Sequence, residues 1–186
     1  MERVTLNLSE AVTFDLSVGR VNLRETYPQV LLPAEGLKEL CAAAGDAATQ
    51  VLGKVMGKQM GERIAKRLTE QSSTIEKVSA EEFLANLRAE FALAGFGSLS
   101  IERWGKALLL VLDHGQAPLA LAGEALGAAI EQVAGKEVRA VHMMTDGPRD
   151  RFLLANPKAA EQVTSWLQQA VSWGEVLVRL HTSAKQ

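Results

Sequence analysis

The side chains that carry most protein chemistry are few and scattered in this sequence. Its three histidines, His114, His142 and His181, stand far apart. No His-x-x-x-His or Glu-x-x-His pair sets two metal ligands on one helix face. Cys41 is the one cysteine, which excludes an intrachain disulfide and a multi-cysteine zinc site. His142-Met143-Met144 groups soft donors, but neighbours on a strand point to opposite faces. The three cannot readily meet one ion, and core packing with one polar partner is the better reading. Asp113-His114, beside Gly115, reads as a turn at a strand end. TDGPRDR (145–151) crowds two aspartates and two arginines together. It reads as a hairpin loop in which Arg149 and Arg151 are able to hold an anion or a partner carboxylate. No glycine-rich phosphate loop follows a strand, and no Gly-x-Ser-x-Gly elbow occurs. The expectation is a non-enzyme with no catalytic, cofactor-binding or metal-ligating residue.

The most informative stretch is VLGKVMGKQMGERIAKRL, residues 51–68, with Gly53, Gly57 and Gly61 four apart. Three glycines inside a helix cost about 2–3 kcal/mol against alanine. At about 100° per residue they share a narrow arc, with Met56, Met60, Ile64 and Leu68 in or beside it. Lys54, Lys58, Glu62 and Lys66 fall opposite. The glycines therefore lie on the apolar face, where a second backbone or a flat ligand can come close. Tight helix packing is one reading, by analogy with small-xxx-small contacts.

Bulk properties narrow the classes. The chain has 186 residues, 47% hydrophobic and 23% charged, with net charge −2 and a pI near 6.0. These values speak against nucleic-acid binding by phosphate neutralisation and against a polybasic membrane surface. Charges interrupt every long apolar run, so no integral membrane segment is expected. MERVTLNLSEAVTFDL lacks the apolar core of a secretory signal. The expected location is the cytoplasm.

The elements that would position these residues follow from period and punctuation. Val4, Leu6 and Leu8, then Val12, Phe14 and Leu16, alternate as strands, and Val21 to Leu23 reads as a third. Ala34 to about Gln71 reads as helical, with a break near Gly45. QSSTIEKVS is linker-like. Ser79 and Glu82 form a capping-box signature opening EEFLANLRAEFALAG. SLSIERW and KALLLVLDHG read as strands around Gly105. Residues 118–135 read as a helix with small residues at Ala122, Gly123 and Gly127. KEVRAVHMM and RFLLA form a hairpin, and Pro157 opens a helix ending near Gly174, after which VLVRLHTS reads as a last strand or a continuation of that helix. On that helix Trp166 and Trp173, seven apart, form an aromatic stripe with Val163, Leu167 and Ala170. The expected class is α+β: an antiparallel sheet, a long glycine-rich helix and further helices largely on one side. Residues 1–32 would be a strand-rich extension and residues 33–186 the main domain, together one compact unit.

Read with its motifs, this order resembles the V4R domain, also called the 4-vinyl-reductase or hydrocarbon-binding domain, whose fold recurs in Bet3-like subunits of TRAPP tethering complexes. Four stretches between Leu37 and Leu154 carry the likeness: GKQMGERIAKRL, EEFLANLRAEFALAGFGSLSIERW, LAGEALGAAIEQVAGKEVRAV and HMMTDGPRDRFLL. Many V4R domains place metal-binding cysteines near the closing hairpin, where this chain has Met144 and Arg151, so the resemblance implies a metal-free member. In Bet3-like proteins a cysteine on the first long helix can carry an acyl chain, and Cys41 lies at a broadly similar place.

Two functional expectations result. The first is a non-catalytic assembly module in a signalling or scaffold role, homodimeric or bound to another protein. Gly53, Gly57, Gly61, Met60, Trp166 and Trp173 would form its packing surfaces. The alternative is a sensor or carrier binding a small hydrophobic ligand among Cys41, Met56, Met60, Leu68, Phe83 and Phe91. Methionine adapts to irregular ligands, and ligand pockets are mostly apolar.

Overall fold

The structure, a computed structural model, describes residues 11–23, 27–71, 79–105 and 107–183. The strand expected over Val4–Leu8 and the linker-like residues 72–78 lie outside them. Strands β1 (Val12–Asp15), β2 (Arg20–Leu23) and β3 (Tyr27–Gln29) form a small antiparallel sheet in that order. Helix α1 (Ala34–Gln71) follows, bent at Gly45. Helix α2 (Ala80–Leu93) opens on the expected capping box: Ser79 Oγ accepts from the Glu82 N–H, and the Glu82 carboxylate accepts from the Ser79 N–H. The next elements are β4 (Ser98–Trp104), β5 (Ala107–Asp113), α3 (Leu119–Ala134), β6 (Arg139–Asp146) and β7 (Arg149–Ala155). Two short helices, α4 (Pro157–Gln168) and α5 (Trp173–Ser183), complete the chain. Among the described residues, no helix is long and apolar enough to cross a membrane.

The four later strands form an antiparallel sheet ordered β4-β5-β7-β6. The pleat of β5 divides the interior. Leu110 and Leu112 join a main cluster with residues of α1, α2 and α3. Leu109, from the opposite face, joins a second cluster with Met143, Leu153, Val163, Val176 and Leu177. The continuous apolar run of β5 is thus buried on both faces. The long helices cover one face, and α4 and α5 contribute the cover of the other.

The C-terminal region departs from expectation. One helix with a tryptophan stripe through Trp166 and Trp173 does not form. α4 stops at Gln168, and Ala170 turns left-handed at φ 58°. The Val171 N–H donates to Trp166 O and closes the helix end. Ser172 then opens α5 by accepting from the Glu175 N–H. The missed signal is Ser172-x-x-Glu175, a capping pattern inside an apparently continuous helix. Trp166 and Trp173 still join the second cluster, from separate helices. Trp173 meets Trp104 edge-on at 4.4 Å between ring centroids.

Candidate functional site

The glycine face of α1 lies against α3 at backbone distance. A Cβ on Gly53 would come 2.7 Å from Leu121 O, and one on Gly57 would run into Ala125 O. One on Gly61 would come 2.5 Å from Gln132 Cβ. Real Cβ atoms do not approach so closely, so glycine is required by the contact and not by the helix. α3 is small-faced on a second side as well. A Cβ at Gly127 would lie 2.9 Å from Val138 O beside β6. α3 is therefore wedged between α1 and the sheet.

This close packing turns the next residues of α1 inward. Met60, Ile64 and Leu68 are buried in the main cluster with Leu87 and Phe91 of α2, and Cys41 belongs to the same cluster. Met56 and Phe83 pack against it, partly buried. Four of the six residues of the expected hydrophobic set belong to this cluster and two border it, those of α1 spread along its length. They sit between α1, α2 and the inner face of the sheet.

A polar network that the sequence reading passed over lies within this apolar region. Glu90 of α2 is 1% exposed, and Arg63 and Arg67 of α1 are 7% exposed each. The Glu90 carboxylate takes Arg63 Nη2 at 2.7 Å and Arg67 Nη1 at 2.6 Å. Arg63 Nε donates to the same carboxylate at 2.8 Å. Arg67 Nε donates to Asn86 Oδ1 at 2.7 Å, and the Asn86 amide donates onward to Glu82 O. Residue 63 meets 90 while 67 meets 86, so the two helices run antiparallel here. Burial makes such a network directional and demanding: each charge needs its partner, and losing one strands the others.

A second polar cluster lies on the hairpin. Arg151 is buried, and its guanidinium grips Glu102 through Nε at 2.9 Å and Nη2 at 3.3 Å. That hydrogen bonding holds the Glu102 carboxyl below its ordinary value of 4.5 and raises Arg151 in turn. A lowered carboxyl stabilises the fold above that ordinary value and loses its contribution as pH falls through the lowered one. Arg149 pairs with Asp113 at 3.4 Å. Both arginines of the TDGPRDR loop therefore hold carboxylates of this chain. His142 Nε2 lies 3.3 Å from Asp150 Oδ1. Met143 is the extra residue of a bulge between His142 and Met144 and is buried in the second cluster. His114 occupies an exposed left-handed turn at φ 55°. Among the described residues, no group of three or more His, Cys, Asp or Glu is arranged to hold a metal ion.

A cleft of about 910 Å³ runs between α1, α3, β6 and α4. Lys54, Lys58, Glu124, Glu131, Arg139 and His142 are among its walls, and Gly123 and Gly127 belong to its lining. It takes in none of the six expected pocket residues. Its charges are mixed, and Lys54 and Glu124 approach each other to 3.8 Å.

No protein-family model matches the chain, and no curated protein matches it. A likeness does exist among solved structures. The crystal structure of the phenol-responsive sensory domain of the transcription activator PoxR, with phenol, superposes with a TM-score of 0.57. The match covers 79% of this chain and 85% of that one at 16% sequence identity. At that identity the two share a fold.

Proposed function

We propose that this chain is a V4R-like sensory or carrier module, not an enzyme, whose interior between α1, α2 and the sheet takes a small hydrophobic ligand. The observation that carries this is the fold shared with a phenol-responsive sensory domain. The assembled set of Met56, Met60, Leu68, Phe83 and Phe91 supports it, because this apolar interior has methionines able to repack and a polar network at its side. The test is mass spectrometry of freshly purified protein, native and then denatured, repeated with added phenol. Excess mass lost on denaturation, or saturable uptake of phenol, is the expected result. A clean 20.0 kDa chain that takes up neither phenol nor larger aromatic or lipid probes overturns the reading.

A second reading, assembly into a homodimer, has its own support. Nine of the thirteen exposed large apolar side chains among the described residues lie between Phe14 and Val55. They include Leu31, Leu32, Leu40 and Val51. Exposed apolar side chains gathered in one stretch of chain support contact with a partner. The two readings are compatible, since a sensor passes its signal through contacts with a partner. Light scattering on the eluting protein gives the answer: twice 20.0 kDa supports assembly, and a monomer at high concentration removes it.

A further inference from the structure

α1 is two helices joined at a position that only glycine occupies comfortably. Gly45 has φ 81° and ψ 172°, a region essentially closed to other residues. Nothing lies within 4 Å of where its Cβ would be. Glycine is there for its backbone and not for room. Across the bend, the Thr49 hydroxyl lies 3.0 Å from Gly45 O and 3.2 Å from Cys41 O. In a straight helix, residues eight apart are separated by about 12 Å along the axis. The bond from Thr49 to Cys41 O therefore exists only while the helix is bent. Ahead of the bend, residues 34–44 are held thinly. Cys41 is buried and Leu37 half-buried against the main cluster, while Leu40 and Ala42 to Ala44 face solvent.

We propose that residues 34–44 form a hinged lid over the apolar interior, swinging about Gly45 and latched shut by the Thr49 hydroxyl on the Cys41 carbonyl. Opening lifts Leu37 and Cys41 off the cluster that holds Met60, Leu68 and Phe91. That the opening admits a ligand rests on the sensory reading above; the hinge and its latch do not.

Cys41 is the only thiol in the chain and lies under the lid, so its labelling by a chromogenic thiol reagent reports opening directly. The experiment uses the full chain without ligand, so a failure of the ligand reading leaves it intact. Thr49→Val removes the latch and keeps the shape. Labelling is expected to rise about fivefold, the usual weight of one hydrogen bond, while the same bond's loss lowers the melting temperature by no more than about 2–4 °C. Gly45→Ala disfavours the bent conformation and is expected to act in the same direction. Hydrogen exchange should quicken over 34–44 and stay slow over 53–68. Labelling within twofold of wild type in both variants overturns the lid. So does Cys41 labelling that needs as much opening free energy as amide exchange over 53–68, because Cys41 is then exposed only by global unfolding.

Discussion

The two halves of α1 use small residues in opposite ways. Before and just after the bend, Ala42, Ala43, Ala44, Ala47 and Ala48 all face solvent. There alanine acts as the best helix former, and the segment is helical largely by local preference. Beyond it, Gly53, Gly57 and Gly61 are buried against α3. These are poor helix formers, tolerated because their missing side chains let two backbones meet. One half is made by propensity and touches the core along a thin seam. The other is made by packing and anchors the main cluster. The first is the half that moves in the proposed lid, and the second is where a substitution is felt by the whole fold.

The comparison is broken most severely at Glu90. Glu90→Ala leaves two buried guanidinium groups of the packed half without their shared carboxylate. Losing one partner of a buried ion network costs about 3–5 kcal/mol, to be read from chemical denaturation. A loss below about 1 kcal/mol would show that the arginines find water or another carboxylate and that α1 and α2 are held by apolar contact alone. Gly57→Leu comes next. Its side chain has to displace the Ala125 carbonyl and the Ala128 methyl. Overpacking of this kind costs about 1–3 kcal/mol, and backbone as the obstacle argues for the upper end. An unchanged melting temperature would mean that α1 and α3 can part without penalty.

Much of this was legible because it is written locally. The Ser79–Glu82 capping box, the Gly45 break, the Pro157 start and the continuous apolar run of β5 each need only a few neighbouring residues. The glycine face was legible as a face, but its partners on α3 lie some seventy residues on and no local pattern names them. The polar network was present in the sequence as a matched pair of patterns. Met60, Arg63, Ile64, Arg67 and Leu68 repeat the spacing of Phe83, Asn86, Leu87, Glu90 and Phe91. In each, two polar residues one turn apart sit among apolar residues on one helix face. Reading each helix alone hides the complementarity, because arginines at the edge of an apolar arc usually extend to solvent. Only antiparallel pairing of the two helices sets 63 against 90 and 67 against 86. The tryptophan stripe was misread for the converse reason. Seven-residue spacing is meaningful only within one unbroken helix, and a left-handed Ala170 carries little sequence signal.

The smallest expected effect makes the sharpest test of the comparison. It is a reciprocal exchange of the two small residues, Ala43→Gly in the exposed half and Gly57→Ala in the packed half. On propensity alone, the first loses up to about 1 kcal/mol and the second gains a similar amount. The contacts predict otherwise. Ala43 is solvent-exposed on a thinly held segment, so its loss is absorbed by local fraying. The global melting transition should shift by less than about 0.5 kcal/mol, while amide exchange over 34–44 quickens. Gly57→Ala should destabilise despite the better helix former, because even a methyl meets Ala125 O and Ala128 Cβ. If Gly57→Ala instead raises stability, the interhelical contact yields more easily than backbone contact allows. The two halves of α1 would then differ in composition alone.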